Sequence, residues 1–163
     1  MVSTPIGTNV NISSQSSVTW TGNSGAAFGS SLAFDDFDKD GHIDMVFGAK
    51  GDGGAIHAYF SGWDTSATTI NGAGGADSTF TSSYNYAGIG QQMRTMGDVN
   101  GDGYPDLLVT ALGDYGSGDA GKAYVVDGLC LDGQVTTNIN AASLYQITAQ
   151  ASSDGFGWAA AVG

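Results

Sequence analysis

Two stretches of this chain carry residues whose types and spacing could do chemistry. The first is DDFDKDGHIDMVFGA, starting at Asp35, and the second is GDVNGDGYPDLLVTA, starting at Gly97. Counted from Asp36, side-chain oxygens recur at loop positions 1, 3, 5 and 9, on Asp36, Asp38, Asp40 and Asp44. The second stretch repeats the pattern at an offset of 62 residues, with Asp98, Asn100, Asp102 and Asp106. A hard cation such as calcium takes six to eight oxygens at short range, and alternate residues of a tight loop turn their oxygens towards one point. Gly41 and Gly103, at position 6 of each loop, permit the sharp turn that lets the main-chain carbonyl of position 7, His42 in the first loop, add another oxygen. The EF-hand begins in the same way but needs a bidentate Glu at position 12, where this chain has Phe47 and Val109. An isolated loop of this kind is also compatible with an ordinary Asp-Gly turn. Two loops that agree at all four oxygen positions argue against that reading.

Other chemistries find little support. The chain has 163 residues, 16 acidic against 4 basic, for a net charge of −12. Nucleic-acid phosphates and anionic membrane surfaces call for the opposite sign, so neither is expected as a partner. GSGDAGKA, from Gly116 to Ala123, imitates a phosphate-binding loop, but Ala123 stands where Ser or Thr would hold magnesium and a strand-like run follows. His42 and His57 are the only histidines, and neither has a serine-nucleophile context. Cys130 is the single cysteine, which leaves no internal disulfide and too few soft ligands for zinc; it reads as a small buried hydrophobe. No catalytic set emerges. No basic-then-apolar leader and no apolar run of membrane-spanning length is visible, so a secreted chain would be present here in mature form.

The elements that position these loops follow from composition and repetition. All 16 acids are aspartate and glycine occurs 27 times, which is turn chemistry between short strands and not helix chemistry. Around the acidic stretches, AFGSSLAF with Phe28-Gly29 corresponds to Ile89-Gly90, and GGAIHAYFSG corresponds to AGKAYVVDG. A third start, DGFGWAAAVG with Phe156-Gly157, lies near the C-terminus. A period of about 60 residues marks a repeated supersecondary unit. The pattern predicts four short strands per unit. In the first they fall near Ser30–Phe34, Ile43–Gly48, Ala55–Phe60 and within Ala67–Thr81. In the second they fall near Gln91–Met96, Leu107–Ala111, Lys122–Val126 and Gln134–Ile139. VNISSQSSVTW near the N-terminus resembles INAASLYQIT, and each precedes a Phe-Gly by a similar distance. Four strands per unit, arranged radially, make an all-β fold of β-propeller blades. A closed propeller needs roughly four to eight blades, so two blades leave unpaired edges that seek partners. Trp20, Trp63, Trp158, Tyr84, Tyr86 and Tyr115 read chiefly as packing between blades.

The run of Phe-Gly, about seven residues, D-x-[DN]-x-D-G-x-x-D, then an apolar strand and Gly-Ala resembles the FG-GAP repeat. That repeat builds the integrin-alpha-type β-propeller and occurs in many secreted bacterial proteins. The resemblance implies one calcium ion per loop, two in all, on the hairpin between the first and second strands of a blade. It implies Asp36, Asp38, Asp40, His42 (main chain) and Asp44 as one ligand set. The second set is Asp98, Asn100, Asp102, Tyr104 (main chain) and Asp106. The expected organisation is a terminal strand of a neighbouring blade over 1–27, blades over 28–88 and 89–155, and the first strand of a further blade over 156–163. The expected function is a non-catalytic, extracellular, calcium-binding module for adhesion or for a protein or glycan ligand, self-associating through its incomplete blades. The alternatives are a structural subunit polymerising head-to-tail into a fibre or ring, and a non-catalytic fragment of a larger secreted enzyme.

Overall fold

A computed structural model describes residues 18–51, 53–60, 69–72, 74–82, 88–112, 120–133, 137–151 and 155–162. Among the described residues eleven strands run in chain order: β1 (Thr19–Thr21), β2 (Phe28–Asp35), β3 (Asp44–Ala49), β4 (Ala55–Tyr59), β5 (Thr69–Asn71), β6 (Ser78–Thr81), β7 (Ile89–Gly97), β8 (Asp106–Ala111), β9 (Lys122–Val126), β10 (Thr137–Asn138) and β11 (Ser143–Thr148). The one helical element among the described residues is a 3-10 turn at Gly128–Cys130. No helix among these residues is long and apolar enough to cross a membrane.

Two sheets repeat one design. The first has the order β10-β6-β4-β3-β2 and the second β11-β9-β8-β7. In each, four neighbouring strands pair antiparallel, as β2-β3-β4-β6 and as β7-β8-β9-β11. The inner strands are short apolar runs, AIHAY, DLLVTA and KAYVV among them, and nearly every residue in them is buried. Burial on both faces removes the usual in-out alternation and favours such runs. Strand β2, at the edge, does alternate: Ser31 and Ala33 are buried while Leu32 and Phe34 are exposed. One apolar cluster joins the sheets, with Val46, Ile56 and Phe80 from the first and Leu107, Val109 and Tyr124 from the second.

The glycines of the second and third starts, Gly90 and Gly157, each pack against the sheet that precedes them. Gly90 has φ +83° and lies against Gly48 of β3, where a side chain on either would collide with the other's backbone. Its carbonyl accepts the hydroxyls of Ser30 (2.9 Å) and Ser31 (2.7 Å). Gly157, at φ +92°, makes the corresponding contact with the second sheet, its carbonyl accepting the Thr110 hydroxyl at 2.7 Å. Left-handed backbone in so tight a contact is available to glycine alone.

One expected strand is displaced. The fourth strand of the second sheet is not Gln134–Ile139 but β11, which pairs antiparallel with β9. Among the described residues of the expected segment, β10 is extended and pairs parallel with β6 of the first sheet. Asn138 turns the chain between them: its side chain accepts the Asn140 N–H (2.9 Å) and its carbonyl accepts the Ala141 N–H (2.9 Å). Asparagine competes locally with ladder hydrogen bonding and so ends the strand there. The first sheet behaves likewise, since Ala67–Thr81 contains both β5, which pairs parallel with β1, and β6, the fourth strand. The phosphate-loop imitation at 116–119 and Trp63, Tyr84, Tyr86 and Tyr115 lie outside the described residues. Trp20 does pack, stacking on Phe47 (5.1 Å between rings) and meeting Tyr59 edge-on (4.5 Å). Trp158 is exposed, and Cys130 is only half-buried.

Candidate metal centre

Each acidic loop joins the first two strands of a sheet, β2 to β3 and β7 to β8. The hairpins close at Asp35 opposite Asp44 and at Gly97 opposite Asp106. The last aspartate of each loop is therefore the first residue of a buried strand, and both Asp44 and Asp106 are fully inaccessible to solvent. Their carboxylates brace the loops from below. Asp44 accepts the N–H groups of Phe37 (2.7 Å) and Asp38 (3.3 Å). Asp106 accepts Val99 N–H (2.8 Å) and, with its other oxygen, Gly128 N–H (3.0 Å). A buried carboxylate that accepts two backbone donors is a stable arrangement, because its charge is met by hydrogen bonds.

Above these braces the loops fold on one plan. Asp40 N–H donates to the Asp38 side chain (3.0 Å), and Asp102 N–H to the Asn100 side chain (3.0 Å). Gly41 N–H donates to Asp36 (3.1 Å), and Gly103 N–H to Asp98 (2.8 Å). His42 N–H donates to Asp40 and Tyr104 N–H to Asp102, both at 2.8 Å. Gly41 and Gly103 both have positive φ, as the sharp turn at position 6 requires. Position 4 is left-handed as well: Gly101 has φ +81° and Lys39 has φ +64°. The first loop thus holds an exposed lysine in a conformation that the second gives to glycine.

The structure brings together Asp36, Asp38 and Asp40, each offering an oxygen within 4.8 Å of the others. Asp44 stands outside that group, its carboxylate directed to the loop backbone. In the second loop Asn100 replaces Asp38, so Asp98 and Asp102 contribute carboxylates and Asn100 an amide. That amide donates to Asp102 at 2.8 Å. Hydrogen bonds from Tyr104 N–H and Asn100 hold the Asp102 carboxyl below its ordinary range. The residues fit a hard cation: oxygen donors only, three carboxylates in one small volume, and a buried oxygen of Asp36, Oδ1, without a hydrogen-bond partner. On the first loop the His42 ring nitrogen Nδ1 lies 3.2 Å from an Asp40 carboxylate oxygen.

One residue beside the second loop escaped sequence reasoning. Asp127 caps the 3-10 turn by accepting Leu129 N–H (2.9 Å) and shares a hydrogen bond with Asp102. Burial first, and then the charges of Asp102 and Asp106, push its carboxyl above the ordinary range. The corresponding position in the first repeat, one residue past the end of the third strand, is Phe60, so repetition carried no signal for it.

Comparison with known proteins agrees with this architecture. Residues 95–126, from the end of β7 through β9, match the FG-GAP repeat. The chain is 34% identical to human integrin alpha-6 over 112 residues, which is 63% of this chain and 9% of that protein. It is 33% identical to integrin alpha-7 of Rattus norvegicus over 115 residues, 65% of this chain and 9% of the relative. The chain thus spans about a tenth of the length of these curated relatives. Residues 95–126 thus carry an FG-GAP repeat, on a chain whose wider similarity is to integrin alpha proteins.

Proposed function

We propose that this chain is a non-catalytic, calcium-binding, integrin-like β-propeller module that works outside the cell in adhesion or ligand binding. The observation that carries the reading is the pair of acidic loops with matching backbone hydrogen bonds, each based on a buried aspartate. Two calcium ions are assigned. The first is held by Asp36, Asp38, Asp40, the His42 carbonyl and Asp44. The second is held by Asp98, Asn100, Asp102, the Tyr104 carbonyl and Asp106. Calcium would neutralise the carboxylates of the first loop and tie β2 to β3, so its contribution is to folding and rigidity. Extracellular calcium is abundant enough to fill sites of modest affinity. The blades are assigned to 28–88 and 89–155, with 1–27 and 156–163 supplying strands to neighbouring blades, and self-association through these incomplete blades is part of the proposal.

Calorimetric titration with calcium tests the metal assignment. The expected stoichiometry is two ions per chain, falling to one in Asp38→Ala and to none in Asp38→Ala with Asn100→Ala. Two ions retained by that double variant would overturn the assignment.

A further inference from the structure

The sequence contains two Asn-Gly pairs, Asn71-Gly72 and Asn100-Gly101. In such a pair the glycine nitrogen can attack the asparagine side-chain amide carbon, and no side chain on the glycine obstructs the approach. The fold sets the two pairs in opposite surroundings. Residues 97–103 are all exposed, so water reaches Asn100 freely. Its Oδ1 accepts Asp102 N–H at 3.0 Å, an Asx turn that bends the side chain back over the Gly101 peptide. The N–H of Gly101, the attacking nitrogen, donates to Asp98 Oδ1 at 2.6 Å. Gly101 has φ +81°, and a side chain built on it would meet nothing within 4 Å. Gly72, in contrast, is buried, with the Phe28 ring against its Cα. Its N–H is held at 2.6 Å by the Thr21 carbonyl, a neutral acceptor that takes no proton. Asn71 Oδ1 accepts the N–H of Gly74 at 3.2 Å.

We propose that Asn100 is a site of spontaneous deamidation in the folded chain, while Asn71 is protected. The Gly101 nitrogen bonds to Asn100 Cγ as its proton passes to the Asp98 carboxylate. Negative charge developing on Oδ1 is met by the Asp102 N–H already directed at it. The Cγ–Nδ2 bond then breaks, and the nitrogen leaves as ammonia with the proton that Asp98 had taken. The result is a succinimide that closes through Gly101. Water opens it at either carbonyl. Cleavage of the new Cγ–N bond gives aspartate, and cleavage at the main-chain carbonyl carbon gives isoaspartate. Ammonia is released, water is consumed, and nothing is oxidised or reduced. Aspartate at position 100 adds a negative charge and brings the second loop to the aspartate pattern of Asp36, Asp38, Asp40 and Asp44. Isoaspartate routes the main chain through an added methylene and moves the loop oxygens out of register. The oxygen set of the second loop therefore changes with the age of the chain, and that of the first does not.

This inference stands apart from the calcium assignment, and its test is run in chelator. The whole chain is incubated in mildly alkaline buffer, folded or in urea, sampled over days, digested and read by mass spectrometry. In the folded chain the Asn100 peptide should gain the mass difference between an amide and a carboxyl. It should also split on chromatography into aspartate and isoaspartate forms, while the Asn71 peptide stays unchanged. In urea both peptides should convert at similar rates, because the dipeptide is the same and only the fold distinguishes them. Asp98→Asn keeps a hydrogen-bond acceptor but removes the carboxylate. It should slow Asn100 several-fold in the folded chain and leave the rates in urea as they were. Conversion of Asn100 in urea but not in the folded chain would overturn the proposal. Equal conversion of Asn71 and Asn100 in the folded chain would do the same. An unchanged Asn100 rate in folded Asp98→Asn would remove Asp98 as the proton acceptor.

Discussion

Asp106→Ala separates the fold-bracing role of a loop carboxylate from its role towards a cation. In the wild type the two oxygens of Asp106 accept Val99 N–H at 2.8 Å and Gly128 N–H at 3.0 Å, with no solvent access to the side chain. Removing the carboxylate leaves the buried Gly128 N–H without an acceptor, which costs about 1–3 kcal/mol. Val99 is partly solvated, so its N–H adds about 1 kcal/mol at most. The expected destabilisation is about 1–4 kcal/mol, a large fraction of the ~5–15 kcal/mol that holds a typical domain together. It should be visible in chelator, where no cation contributes. The assay is urea unfolding with EDTA, read as a lowered midpoint at unchanged slope. Asp106→Asn, which retains one acceptor oxygen, should fall between the wild type and Asp106→Ala. Asp102→Ala, at an exposed position where water can replace the carboxylate towards Tyr104 N–H and Asn100, should leave the chelator midpoint near the wild type and weaken calcium binding. If Asp106→Ala unfolded at the wild-type midpoint in chelator, the bracing role would be refuted, and the carboxylate would matter only through the ion.

Lys39→Gly should stabilise the first loop. Lysine at φ +64° carries a left-handed cost of about 1–2 kcal/mol, partly offset by the roughly 0.5–1 kcal/mol of chain entropy that glycine loses on folding. The net gain of up to about 1 kcal/mol should raise the thermal midpoint by about 2–4 °C. The equivalent Gly101→Lys should lower it. His57, on β4, has its imidazole held below the ordinary value by burial, with Nδ1 at 3.0 Å from the Thr79 hydroxyl. The folded chain therefore resists a proton that the unfolded chain accepts. Stability contributed by the neutral ring is present above about pH 6.5 and is lost as pH falls below it, at up to about 1.4 kcal/mol per pH unit. His57→Gln should flatten that fall between neutral and mildly acidic pH, measured as urea midpoints at a series of pH values.

The sequence by itself determined the repeat, the two acidic loops and the inner strands. Each of these is written in local chemistry: aspartates at alternate positions, glycine where φ must be positive, and short apolar runs for strands buried on both faces. The sharp turn at glycines 41 and 103 was legible because it depends on residues only a few places apart. Which extended segment becomes the fourth strand was not legible. TTN at 136–138 and SLYQIT at 143–148 are both strand-like, and the choice depends on a parallel pairing with β6 more than 50 residues away. The bracing of Asp106 by Gly128, and the place of Asp127 beside Asp102, likewise join residues separated by some two dozen positions. The commitment of one Asp44 oxygen to the Phe37 and Asp38 N–H groups was also decided in three dimensions, because its own strand is buried beneath the loop. Spacing can propose a set of oxygens. Only packing decides which of them face a common point and which are committed to holding the backbone.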